Sequence, residues 1–319
     1  MNLTEFEKYE SFELFAIPSF EKERLDQFLL LAMKEESRNY YSKLIKEGCV
    51  KVNDNLVEKP SYSIKPYDKI SVTIKLKEPF SIEQDKLNIK ILYEDEYFMA
   101  INKDRDMVVH PGAGNFRNTI LNALIDSINK DEFADQERPG IVHRLDKETT
   151  GVLIVAKSVR TMSRLSEQFK SRQVKKTYIA LVYGYMQYKE GFISMPIKRS
   201  KIHRQKMEVN LSGKPALTEY SVLREGLLEK QAVSLLKINI YTGRTHQIRV
   251  HMSYIGHPIV GDKKYSTRSC KNCPEIALHA LKIEFSHPAH DKTVSFIAPL
   301  PDDLQDFLKK CNIDYDFDL

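Results

Sequence analysis

The chain of 319 residues is too long for one typical small domain, which points to two. Hydrophobic residues make up 42% and charged residues 29%, and no apolar run approaches a membrane span, so disordered and membrane-embedded classes are set aside. The net charge of +5, from 49 basic and 44 acidic side chains, is compatible with an RNA partner without demanding one.

Met1 to Glu10 contains acidic residues and no apolar signal core, so export by a signal peptide is not expected and the chain reads as cytoplasmic. Residues 1–18 show no clean period and read as an extension. Leu25, Phe28, Leu29 and Ala32 then recur at helical spacing. Ser37 opens a second helix, with Tyr41, Leu44 and Ile45 as its apolar stripe and Gly48 as its stop. Val50 to Val52 and Leu56 with Val57 flank Asn53, Asp54 and Asn55 as a hairpin, and Lys69 to Lys75 alternates as a strand. Residues 77–86 are polar and contain a proline, so they read as a linker between a small domain, 19–76, and a larger one, 87–319.

The larger domain begins with strands at Leu87 to Tyr93 and Tyr97 to Ile101, and later ones are expected at Tyr178 to Tyr183, Ala232 to Tyr241 and Lys292 to Ile297. Apolar spacing predicts helices through Leu121, Leu124, Ile125 and Ile128, and through Met162, Leu165 and Phe169. Strand runs with scattered helices, rather than regular alternation, predict an α+β fold around a mixed, mostly antiparallel sheet. Between Ile141 with Val142 and the apolar run Gly151 to Ala156 lies a polar loop carrying His143, Arg144, Asp146, Lys147 and Glu148. A charged cluster held between two buried strands is rigidly mounted, the usual place for a catalytic group. Cys49, Cys270, Cys273 and Cys311 show no disulfide-dense spacing, which fits a reducing compartment. Cys270 and Cys273 fall in a stretch that reads as a surface loop, and their spacing to His279, His287 and His290 matches no zinc-finger pattern.

The run His143 to Gly151, H-R-L-D-K-E-T-T-G, resembles the active-site motif of the RluA/RluD-type RNA pseudouridine synthases. Val108 to Gly112, Lys176 to Gly184 and Gly243 to His251 resemble further motifs of that family, in its order, so the likeness spans about residues 87–308. It implies an isomerase that breaks the N-glycosidic bond of a uridine, rotates the base and rejoins it through carbon, with no metal or organic cofactor. Asp146 falls on the family's catalytic aspartate, Arg249 on the arginine that holds it and Tyr178 on the active-site tyrosine that contacts the base. The family's aspartate either attacks C1′ or promotes elimination to a glycal. The small domain resembles the S-four-like RNA-binding domain that often precedes this catalytic domain, which implies that Arg38, Lys43, Lys46 and Lys51 face phosphates. The implied partner is ribosomal RNA, or transfer RNA, and no obligate protein partner is readable.

The residues support part of this independently. Thr245 to Gly256 reads as a helix capped by Thr245, with Ile248, Met252 and Ile255 buried. Arg249 stands beside that stripe and needs an anionic partner, for which Asp146 is the natural choice. Arg244 and His246 are candidates to grip phosphate or base, with His110 in the same cleft and His143 and Arg144 beside the aspartate. Thr150 stands where the family usually has serine. One rival reading is a noncatalytic RNA-binding or assembly factor. Another is a glycoside hydrolase, which needs a second carboxylic acid, and Glu148 is the candidate in the same loop.

Overall fold

The computed structural model describes residues 9–33, 38–75, 85–111, 117–133, 138–270 and 273–314. The chain divides into two compact units, Met1–Ser81 and Ile82–Leu319, and most of the expected linker lies outside the described residues.

In the first unit the elements run β1 (Tyr9–Phe15), α1 (Leu25–Met33), α2 (Arg38–Lys46), β2 (Val50–Val52), β3 (Asn55–Leu56) and β4 (Lys69–Lys75). The sheet order is β1-β4-β2-β3. Within the stretch read as an extension, the described residues 9–15 form a strand of this sheet, while residues 1–8 lie outside the described residues. Phe12 and Leu14 alternate with Ser11 and Glu13, and the strand pairs antiparallel with β4, Phe12 against Val72 and Leu14 against Ile70. The helices lay Leu25, Phe28, Leu29, Tyr41 and Ile45 onto Val50, Ile70 and Val72 in one buried cluster, the amphipathic logic that the spacing predicts. The expected helix start at Ser37 lies outside the described residues.

The second unit continues with β5 (Lys90–Glu94), β6 (Phe98–Lys103), α3 (Ile120–Leu124), β7 (Thr150–Ala156), α4 (Val159–Lys170), β8 (Lys175–Tyr183) and β9 (Glu190–Ser194). It closes with β10 (Ile197–Arg199), β11 (Met207–Val209), β12 (Leu217–Leu228), β13 (Gln231–Ile240), α5 (Gln247–Tyr254), β14 (Leu278–Ser286), β15 (Thr293–Ile297) and α6 (Asp302–Lys310). The main sheet has the order β5-β6-β7-β14-β8-β13-β12-β9, with β15 paired to β14. Every pairing is antiparallel except β7 with β14. The architecture is α+β, as the element pattern predicts. Among the described residues no helix is long and apolar enough to cross a membrane.

β7 is buried along its whole length because both faces are covered. Leu153 and Val155 join one cluster with Ile120, Leu121, Ile248, Met252 and Leu304, while Val152, Ile154 and Ala156 join another with Phe98, Leu165 and Phe285. That explains the continuous apolar run, since a strand sheltered on both faces needs no polar alternation. The parallel step with β14 pairs His279 with Thr150 and Ala280 with Gly151. Gly151 has φ +118°, and a Cβ there would stand 2.2 Å from the Ala280 carbonyl oxygen, so the close approach requires glycine. This junction fixes the end of the strand from which the polar loop hangs. The helix expected over Leu121 to Ile128 is shorter: α3 ends at Leu124 and a 3₁₀ turn, Ile125–Ser127, follows.

Candidate active site

The loop between Ile141 and β7 is held from both sides. Thr149 N–H donates to the Asp146 carbonyl at 3.1 Å, closing the turn that presents Asp146. Beneath it the Lys103 ammonium, 1% exposed at the end of β6, donates to the carbonyls of Lys147 (2.9 Å), Thr149 (2.8 Å) and Asp104 (3.1 Å). Burial lowers its pKa to about 8 against the opposing pull of Asp146 and Glu148. On the other flank His143 Nε2 accepts the Ile154 N–H at 2.9 Å, and its ring stacks on Phe169 with centroids 4.8 Å apart. Burial, with Lys176 nearby, pushes its pKa down to about 3, so the ring is neutral. His143, expected to touch RNA, thus uses one ring nitrogen to anchor the loop.

Arg249, on α5, organises the charges. Its guanidinium is buried, and Nε and Nη2 each donate to Asp262 at 2.8 Å, a bidentate pair whose carboxylate side chain is 0% exposed. Only Nη1 turns toward the loop, at 3.4 Å from both Asp146 Oδ2 and Glu148 Oε2. The expected pairing with Asp146 is therefore present but secondary, and the main partner is Asp262. Burial works against the charge on Arg249, but Asp262 first and then Asp146 and Glu148 overcome it and hold it ionised. Asp262 also accepts the N–H groups of Lys264 (2.9 Å) and Tyr265 (3.2 Å). A locked arginine is a fixed positive wall for the loop carboxylates.

α5 starts differently from the sequence reading. Thr245 is not its cap; His246 occupies that position in the left-handed region, φ 55°, with no side-chain cap. The side chain of Gln247 takes over, accepting the Arg244 N–H (3.1 Å) and the Thr242 hydroxyl (2.7 Å). The unusual backbone turns the His246 ring inward, with Nδ1 2.7 Å from the Tyr265 hydroxyl and Nε2 3.9 Å from Asp146. Burial lowers the His246 pKa, and Asp146 offsets only part of that effect. The Tyr265 hydroxyl accepts the Met207 N–H at 2.8 Å, and its ring lies 5.4 Å from the Arg249 guanidinium.

These groups surround a cleft of about 530 Å³, of a size that accommodates a small ligand such as a nucleoside. Its wall includes Arg144, Tyr178, Arg244, His246 and Arg249, and Asp146 is its sole carboxylate residue among the described residues. Tyr178 is 8% exposed, and burial, reinforced by the charge of Asp146, holds its phenol protonated far above the ordinary range. Such a group offers a ring to pack on a base and an O–H to donate. Arg244 points its Nε at the Pro215 carbonyl, 3.1 Å away. His110 is not part of the cleft wall; its Nδ1 donates to the Pro111 carbonyl at 2.7 Å.

Glu148 does not fit the second acid of a glycosidase. Burial raises its pKa, but its own backbone N–H, Arg249 and Lys264 (3.5 Å) more than reverse this, so the carboxyl stays ionised. In the first unit, Arg38 is likewise engaged internally. Its Nε donates to the buried Asp26 at 2.9 Å, beside Arg24 at 3.0 Å, while the side chain remains about half exposed. Lys43 is exposed and 3.6 Å from Glu47, while Lys46 and Lys51 are exposed.

Asp262, Lys103 and Tyr265 were not evident from the sequence. The one available signal was the requirement of a buried arginine for an anion, and it did not distinguish Asp262 from Asp146.

A loop-borne aspartate in a basic cleft defines a class of RNA-modifying enzyme once the comparisons are added. Residues 97–254 match the RNA pseudouridylate synthase family, and residues 23–70 match the S4 domain. An uncharacterized RNA pseudouridine synthase of Aquifex aeolicus is 40% identical over 285 residues, covering 86% of this chain and 90% of that protein. Ribosomal large subunit pseudouridine synthase D of Haemophilus influenzae is 35% identical over 306 residues, 92% of each chain. The solved structure of human RNA Pseudouridylate Synthase Domain Containing 1 aligns with TM-score 0.55 and 31% identity, over 70% of this chain and 87% of that one. The chain belongs to the RNA pseudouridine synthase family, isomerases that convert uridine to pseudouridine, and it carries an S4 domain ahead of the catalytic unit.

Proposed function

We propose that the protein is a cytoplasmic enzyme that isomerises specific uridines of large-subunit ribosomal RNA, with Asp146 as nucleophile. The carrying observation is that Asp146 is, among the described residues, the one carboxylate lining a basic cleft, beside an arginine that is itself locked by Asp262. A uridine must leave its stack to reach such a site, and the cations of the wall compensate the phosphates that accompany it. Tyr178 packs on the base and keeps it bound while the N1–C1′ bond breaks and the C5–C1′ bond forms. The proton lost from C5 is balanced by one gained at N1, so nothing is added and no cofactor is needed. Arg249, through Nη1, orients Asp146. The ribosomal substrate rests on the names of the relatives, and the RNA-binding role of Lys46 and Lys51 on the match of their domain.

The test is pseudouridine mapping of ribosomal and transfer RNA from a strain lacking the gene. Loss of modification at discrete large-subunit positions, restored by the wild-type gene and not by Asp146→Asn, is expected. Loss confined to transfer RNA would overturn the substrate assignment, and restoration by Asp146→Asn would overturn the role of Asp146.

A further inference from the structure

Among the cations of the cleft, Lys176 has no individual role so far. Lys176 lies at the start of β8, two residues before Tyr178 and on the same strand face, so the two side chains enter the cleft roughly 7 Å apart along the strand. Its ammonium stands 5.8 Å from the centre of the Phe169 ring, whose other neighbour is the stacked, neutral His143. Two further cations, Lys170 and Arg172, reach the cleft from the end of α4, where Arg172 turns through the left-handed region at φ 61°. Among the described residues, the side of the cleft formed by Phe169, Lys170, Arg172 and Lys176 contributes no carboxylate, and Lys170 itself is 3.7 Å from the exposed Glu167.

Two other half-buried lysines of the described residues show the usual arrangement, an acid beside the ammonium. Lys157 has Glu94 at 2.7 Å and Lys264 has Glu148 at 3.5 Å. Lys176 instead faces an aromatic ring and the cleft, and burial alone shifts its pKa, downward. A desolvated ammonium oriented this way is costly by itself and favourable once an anion arrives.

We infer that Lys176, with Lys170 and Arg172 behind it, forms an anion seat for the backbone phosphate next to the target uridine, holding the strand while Tyr178 packs on the extruded base. The inference rests on the RNA reading of the cleft and deepens it. The spacing suits the arrangement: Tyr178 takes the base, and Lys176, one strand repeat away on the same face, meets the phosphate attached to the same nucleoside. Phe169 serves as the apolar floor that keeps Lys176 from finding water on that side, and His143 holds that floor in place.

The experiment measures binding, so it does not depend on turnover. In the Asp146→Asn background, full-length proteins carrying Lys176, Lys176→Met or Lys176→Arg are titrated with a short single-stranded oligoribonucleotide containing one uridine, over a range of salt. A second oligonucleotide carries uncharged methylphosphonate linkages on both sides of that uridine. With native phosphates, Lys176→Met is expected to bind about tenfold more weakly at low salt, with a log–log salt slope reduced by about 0.7, the value for one phosphate on a single strand. Lys176→Arg should keep the slope. The methylphosphonate should weaken the Lys176 protein by a similar factor and leave Lys176→Met unaffected. An unchanged slope in Lys176→Met, or an equal methylphosphonate penalty in both proteins, overturns the seat. The wild-type protein is assayed in parallel for uridine conversion. Conversion without the slope change removes the seat alone, whereas a slope change without conversion in any cellular RNA retains the seat and removes the enzymatic reading.

Discussion

Replacing Arg249 by alanine tests the charge arrangement at its centre. The side chains of Arg249 and Asp262 are 3% and 0% exposed, and two 2.8 Å bonds join them. Removing the guanidinium leaves Asp262 as a buried, uncompensated carboxylate, and breaking such a pair costs about 3–5 kcal/mol. The Lys264 and Tyr265 N–H groups still reach Asp262, which places the expected loss near the lower end, about 3 kcal/mol. Asp262→Asn removes the stranded charge while keeping the shape, so it should recover roughly 2 kcal/mol of the loss in Arg249→Ala. Asp146→Asn should recover less than about 1 kcal/mol, because Asp146 is 18% exposed and sits 3.4 Å from one nitrogen only. Urea melts followed by far-UV circular dichroism suit a chain without tryptophan. Arg249→Lys should keep the charge but lose the fork, and with it most of the conversion rate. Coupling of Arg249 to Asp146 as large as its coupling to Asp262 would refute the assignment of Asp262 as the main partner.

Three further outcomes follow from the same geometry. Lys103→Met strands the Lys147 and Thr149 carbonyls, so it should cost about 1–3 kcal/mol and, by letting the Asp146 loop move, about a hundredfold in conversion rate; a wild-type rate would contradict the clamp. His279, whose pKa burial lowers to about 4, accepts at Nδ1 from Thr150 and donates at Nε2 to the Ala298 carbonyl. Above pH 6.5 it is neutral folded or unfolded, but as the pH falls from 6.5 to 4 only the unfolded chain takes up the proton. Stability on the order of 3 kcal/mol should be lost across that window, and His279→Gln should flatten the profile in melts from pH 7 to 4; an unchanged profile would exclude this histidine as its source. Gly151→Ala drives a Cβ toward the Ala280 carbonyl at φ +118° and should destabilise by about 3 kcal/mol or more, whereas a melt like the wild type would show that the junction with β14 tolerates a side chain.

The parts of the site that sequence makes legible are those written in one stretch. The apolar run Gly151 to Ala156 reads as a sheltered strand and the charges before it as a loop, so the loop position of Asp146 was legible from local pattern. Arg249 beside Ile248 and Met252 was legible as a buried cation by helical spacing. Its partner was not, because Asp262 returns to it only after α5 ends at Tyr254 and the chain turns through Gly256 and Gly261, both at positive φ. Lys103 was hidden for another reason: nothing in a strand-end lysine indicates that three carbonyls converge on it. β1 did carry a signal, since Phe12 and Leu14 alternate with Ser11 and Glu13, but an edge strand with Phe15 63% exposed has a weak apolar face. His110 and Arg38 show the opposite limit. Residue type and family position pointed both toward RNA, but one faces its neighbour's carbonyl and the other a buried aspartate.

The most direct test of the central claim is conversion of uridine by purified Asp146→Asn under single-turnover conditions, with large-subunit ribosomal RNA from a strain lacking the gene as substrate. No pseudouridine above background is expected, with a melting profile and an RNA affinity close to those of the wild-type protein, because Asp262 still holds Arg249 in place. Conversion by Asp146→Asn at the wild-type rate would contradict that claim.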